Sequence, residues 1–149
     1  MDTCLKLIVN QSLNIEENEI IINCSVMDER LKSLIEMIRQ HTFSLRGIAD
    51  NNNYIIPLEE IMYIDTVDGK TFLYCKNKFY ESKETLTKLE EMLLHTSFVR
   101  ISKNCILNVN TLKCVRSSLN HRMEATIKNG EKLMVSRNYI ESLKKKLQG

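Results

Sequence analysis

Apolar and polar positions change rhythm three times along this chain. LKLIVNQ and EIIINCSV are short runs rich in β-branched residues, separated by the polar NIEEN, and they predict two strands. Met27, Leu31, Leu34, Ile35 and Ile38 then recur at helical spacing, which predicts a helix over residues 28–41 with Asp28 and Glu29 near its positive end. From residue 43 the texture becomes short strands joined by turn signals. A turn falls at residues 51–53, a strand stub at 54–56, and a helical turn starts at Pro57, where the missing N–H costs nothing. Residues 62–67 and 71–76 flank Asp68-Gly69 and read as a hairpin, because that dipeptide tolerates the positive φ of tight turns. A strand at 79–82 leads into a helix over 84–95, capped by Ser82 and striped by Leu86, Leu89 and Leu93.

The stretch FVRISKNCILN, residues 98–108, alternates like one half-buried strand, yet Arg100, Ser102, Lys103 and Asn104 crowd its middle with donors. Beyond it, 111–117 and 122–128 alternate again, Met123, Ala125 and Ile127 facing one way, and Asn129-Gly130 closes a hairpin onto 132–135. Ser136 is expected to cap a last helix with a stripe of Ile140, Leu143 and Leu147; its terminal Lys144, Lys145 and Lys146 suit a helix's negative end. The reading is an α+β chain, predominantly antiparallel β, with a small N-terminal strand-and-helix extension.

Composition narrows the function. A chain of 149 residues, 43% hydrophobic with one Pro and four Gly, suits one folded domain with an arm and argues against disorder or low complexity. No apolar run approaches the ~20 residues a bilayer span needs, and acidic residues stand where a secretion signal would be basic, so a cytoplasmic location is expected. Cys4, Cys24, Cys75, Cys105 and Cys114 are odd in number and scattered, which favours free, buried thiols over a disulfide framework or a zinc site. His41, His95 and His121 have no neighbour at metal or dyad spacing, and no glycine-rich phosphate loop or nucleophile elbow is present. The adjacent pairs Glu59-Glu60 and Glu90-Glu91 diverge on a helix and do not face each other across a substrate. Neither an enzyme nor a cofactor is expected.

Charge changes the picture most. Residues 1–100 carry 11 basic and 16 acidic side chains, a net −5, whereas residues 101–149 carry 10 basic and 3 acidic, a net +7. A polyanion partner suits the basic end. Donors cluster in three places: residues 68–71, Arg100 to Asn104, and Arg137-Asn138. Loops that bring basic and amide groups together can meet phosphates and base edges without a recognition helix. Arg100 either reaches a phosphate or pairs with an internal carboxylate. Asn108 reads as structural, an amide serving nearby backbone. Tyr63, Phe72 and Tyr74 sit in apolar context, so an exposed stacking platform for single-stranded RNA is not expected.

YIDTVDGKTFLY, FVRISKNCILNVNTLK and NGEKLMVSRNYIESLKKKL, in that order and spacing, resemble the LytTR family of bacterial DNA-binding domains. The resemblance covers roughly residues 45–149 and leaves 1–44 as an extension suited to dimerisation or regulation. It implies an elongated, mostly antiparallel β fold in a transcription regulator that binds double-stranded promoter DNA through loops in two successive major grooves. Carried over by position, it implies DNA contacts at Lys70 and Thr71, at Ser102 and Lys103 with Asn104 beside them, and at Arg137 and Asn138. Ser102 and Asn104 depart from the histidine and serine usual in the family, so base preference there does not transfer. The first 44 residues are too few for a phosphorylatable receiver module, so none is expected, and the resemblance to short family members implies a membrane-protein inhibitor as a partner. One module offers limited contact area, so a homodimer on repeated half-sites is expected, with the N-terminal helix as its contact. The rival reading is a protein interaction module whose basic end binds an acidic partner.

Overall fold

The computed structural model describes residues 5–15, 19–42 and 44–148. Among these residues three α-helices and ten strands follow in the order α1 Glu29–Thr42, β1 Ser44–Ala49, β2 Asn52–Pro57, β3 Ile61–Val67, β4 Lys70–Cys75, β5 Phe79–Ser82, α2 Leu86–Met92, β6 Phe98–Ser102, β7 Cys105–Asn108, β8 Leu112–Ser117, β9 Met123–Ile127, β10 Lys132–Val135 and α3 Ile140–Leu147. The strands form a seven-stranded sheet in the order β2-β1-β5-β4-β3-β7-β6 and a three-stranded sheet β10-β9-β8, with every pairing antiparallel.

Two cores share the strands β3, β7 and β6. On one face of the large sheet, Ile64, Leu73, Phe98 and Ile106 pack with Leu86, Leu89 and Leu93 from α2 and the turn after it. On the other face, Tyr63, Ile101, Cys105 and Leu107 meet Ala125, Ile127 and Val135 of the small sheet and Leu143 of α3. Neighbouring residues such as Ile106 and Leu107 therefore go to opposite cores, each 1% exposed or less. Each such side chain contributes about 1.5–3 kcal/mol by leaving water. This two-sided burial corrects the expected half-buried strand at 98–108. FVRISKNCILN is a hairpin, β6 and β7, turning at Lys103-Asn104.

Several other expectations shift. The two strands expected before residue 27 do not form: no described residue there pairs in a sheet, and Leu7, Val9 and Ile21 are 89%, 78% and 70% exposed. A β-rich run without a neighbouring edge leaves its peptide groups and apolar face to water. The following helix is present, with Asp28 Oδ1 accepting from the Leu31 N–H at 2.8 Å. For α2 the cap is Thr85, whose Oγ1 accepts from the Lys88 N–H at 3.1 Å, while Ser82 serves Glu84 instead. Ser136 makes no side-chain cap; a 3-10 turn over Arg137–Tyr139 precedes α3. Cys24 and Cys114 are exposed against expectation, Cys75 is half-buried and Cys105 buried, all as free thiols; Cys4 lies outside the described residues.

Candidate nucleic-acid interface

Asp68 and Gly69 make the β3–β4 turn with φ of 52° and 76°, so Lys70 stands at the tip opposite Val67. Antiparallel pairing of β3 with β7 puts Asp65 beside Cys105 and brings the β6–β7 turn to the same end of the sheet. The Thr66 N–H donates to the Asn104 carbonyl at 2.9 Å, which ties the two turns together. On the other flank the Ser136 N–H donates to the Ile101 carbonyl at 2.9 Å, bringing Arg137 and Asn138 alongside β6. Three separate stretches of sequence thus converge on one end of the large sheet. Lys70, Lys103, Asn104, Arg137 and Asn138 are exposed there, and Ser102 is half-buried.

Two of the expected contact residues are placed otherwise. Thr71 is buried, 6% exposed, between Thr66 and Ser82 in the sheet, so its side chain is not offered to a partner. Arg100 is turned inward, its side chain 15% exposed, with Nη1 donating to Glu90 Oε1 at 3.1 Å. Nε of the same guanidinium donates to the Ser102 carbonyl at 3.1 Å, and Nη2 to the carbonyl of Lys103. The planar fork therefore holds the β6–β7 turn in shape. Of the two roles open to Arg100, the carboxylate pair is the one the structure contains. Ser102 Oγ adds a bond from the Asn104 N–H at 3.2 Å, closing the turn from within.

Asn108 anchors this arrangement from the far end of β7. Its amide Nδ2 donates to the Ile61 carbonyl at 2.8 Å, while Oδ1 accepts from Ser97 Oγ at 2.7 Å and from the Asn110 N–H at 3.1 Å. Burial holds the Asp65 carboxyl above its ordinary range, and burial together with Asp65 pushes the Cys105 thiol up to about 12. Cys105 is thus a packed thiol at the base of the turn.

Asn120 and Arg122, in the β8–β9 loop, were not singled out by sequence, yet they line a cleft with Ser136, Arg137 and Asn138. A basic residue in the polar SSLNHR between two strands was the available signal. No group of three or more metal-binding side chains occurs among the described residues, and no helix there is long and apolar enough to cross a membrane.

Residues 51–148 match the LytTr DNA-binding domain family. The chain is 33% identical over 122 residues to the sensory transduction protein LytT of Bacillus anthracis, covering 82% of this chain and 49% of that one. It is 30% identical over 101 residues to the transcriptional regulatory protein LytR of Staphylococcus aureus, covering 68% and 41%. The chain therefore spans less than half the length of these relatives. A solved LytTr DNA-binding domain from Bacillus cereus superposes with a TM-score of 0.66 at 24% identity, covering 71% of this chain and 97% of that one, which shows the shared fold.

Proposed function

Since the chain belongs to the LytTr DNA-binding domain family, we propose that it is a sequence-specific transcription regulator that reads successive grooves of duplex DNA through its turns. The observation carrying this reading is the convergence of Lys70, Lys103 and Arg137 on one end of the sheet, held there by the Thr66–Asn104 and Ser136–Ile101 backbone bonds. Lys70, Lys103 and Arg137 supply charge for phosphates. Ser102, Asn104 and Asn138 supply neutral donors and acceptors for sugar or base edges. Arg100 acts behind them, presenting the turn without touching the duplex.

A gel shift with genomic fragments, challenged by excess unrelated duplex, tests it. One fragment should stay bound while the rest are competed away; no shift on any fragment would overturn the proposal.

The exposed apolar residues of the arm, Leu7, Val9, Ile20 and Ile21 among them, favour a protein contact as well. In this reading residues 1–44 pair two copies on repeated half-sites, or meet a membrane-protein inhibitor, inside the cytoplasm. Removing the arm should lower affinity for a double site far more than for a single one. A purely protein-binding chain, with an acidic partner on its basic end, would show no competition by duplex DNA.

A further inference from the structure

The cleft between the β8–β9 loop and the 3-10 turn that precedes the last helix collects positive charge from two separate elements. Arg122 and Arg137 both line it, both are exposed, and neither joins an ion pair among the described residues. Two other cations of the same small sheet share a carboxylate: Arg116 Nε lies 3.2 Å and Lys132 Nζ 3.7 Å from Glu124 Oε1. Asn120 and Asn138 add amide groups to the same cleft, and no carboxylate lines it. The loop is held in shape, since the Ser118 N–H donates to the Arg122 carbonyl at 2.8 Å and Asn120 and His121 take φ of 62° and 59°. Two guanidinium groups without a carboxylate repel one another, so the arrangement becomes favourable when an anion enters.

We propose that the loop at residues 118–122 is a further DNA-binding element, in which Arg122 takes a backbone phosphate beside the contact made by Arg137. This rests on the reading that Arg137 meets DNA, and extends the contacted surface from the large sheet onto the small one. Such a contact adds affinity and no sequence preference.

The test is fluorescence anisotropy of the full chain with a short mixed-sequence duplex over a salt series. Arg122→Ala and Arg122→Gln should each flatten the logarithmic salt dependence by about one unit, whereas Arg122→Lys should keep it. Melting temperatures of the three variants, read in parallel, should match the parent, because Arg122 is exposed and unpaired. An unchanged slope in Arg122→Gln, while Lys103→Ala and Arg137→Ala flatten theirs, overturns this inference and leaves the DNA-binding reading standing. An unchanged slope in all of them overturns both.

Discussion

The two ends of the large sheet use the same residue types for different ends. At the end formed by the β3–β4 and β6–β7 turns, Lys70 and Lys103 stand exposed without an ion pair among the described residues, and the turns are fixed by backbone bonds and by Arg100 from behind. At the opposite end, Lys76, Lys78 and Lys128 line a depression that also holds Glu59 and Glu60. There Lys78 Nζ sits 4.6 Å from the Tyr54 ring centre and 5.2 Å from that of Tyr80, and Glu131 accepts from the Tyr63 hydroxyl at 2.7 Å. Lys78 is thus held against the fold by its aromatic neighbours. Lysines occur at both ends, and what differs is the internal partner: Lys78 has two rings beside it, whereas Lys70 and Lys103 have no ion pair among the described residues.

Breaking the scaffold should have the largest effect. Asn108→Ala removes three hydrogen bonds at a site 1% exposed, those with Ser97 Oγ, the Ile61 carbonyl and the Asn110 N–H. We expect a loss of about 2–4 kcal/mol in denaturant unfolding, with both ends of the sheet affected together. Next comes Arg100→Ala, which unties the β6–β7 turn while removing a half-screened pair with Glu90. A loss of about 1–2 kcal/mol is expected, together with weaker DNA binding. Arg100→Lys should recover little of either, because a single ammonium cannot span the Glu90 carboxylate and two turn carbonyls. Normal DNA affinity in Arg100→Ala would show that the turn keeps its shape unaided.

How much of this was legible beforehand follows from where the information lies. Asp68-Gly69 and Asn129-Gly130 announce their hairpins because a positive φ at the glycine is a local demand, here 76° and 92°. The hairpin at Lys103-Asn104 carries no glycine, and the alternation of residues 98–108 runs on through it, so no turn signal divided the stretch into two strands. Gly47 held an unused clue to β1, since a Cβ there would come within 2.6 Å of Ile56 Cδ1 and Tyr80 Cβ, and glycine inside a strand often signals such close approach. The block resemblance pointed to Lys103 and Arg137, which the structure leaves exposed at one end of the sheet. It could not separate Arg100, which is spent on Glu90 and the turn, from Lys103 three residues later, because that difference is set by Glu90 on another element. Arg122 was not singled out for the same reason, as its neighbour Arg137 belongs to a different element, the 3-10 turn before α3.

The contrast between the two ends sharpens further with a matched pair of lysines. Lys103→Ala should leave stability within about 0.5 kcal/mol of the parent yet flatten the salt dependence of DNA binding by about one unit. Lys78→Ala should do the reverse, losing about 0.5–1 kcal/mol from its place over Tyr54 and Tyr80 with no change in salt slope. Equal salt slopes in the two variants would erase the distinction between the ends.

The smallest effect concerns the thiol beneath the turn. Cys105 is held up to about 12 by burial and by the Asp65 carboxylate, against an unfolded value near 8.5. A raised folded value means that its contribution to stability is complete below the unfolded pKa and is lost as pH rises toward 12. Stability should therefore fall through the alkaline range, less steeply in Cys105→Ala. At mildly alkaline pH a thiol reagent should label the exposed Cys24 and Cys114 at once and reach Cys105 only through opening of β7. Arg100→Ala should speed that slow labelling, because the turn above Cys105 loses its clamp, whereas Lys78→Ala at the far end should not. Equal acceleration by both would mean that β7 opens only with the whole fold, and that the turn has no stability of its own to set.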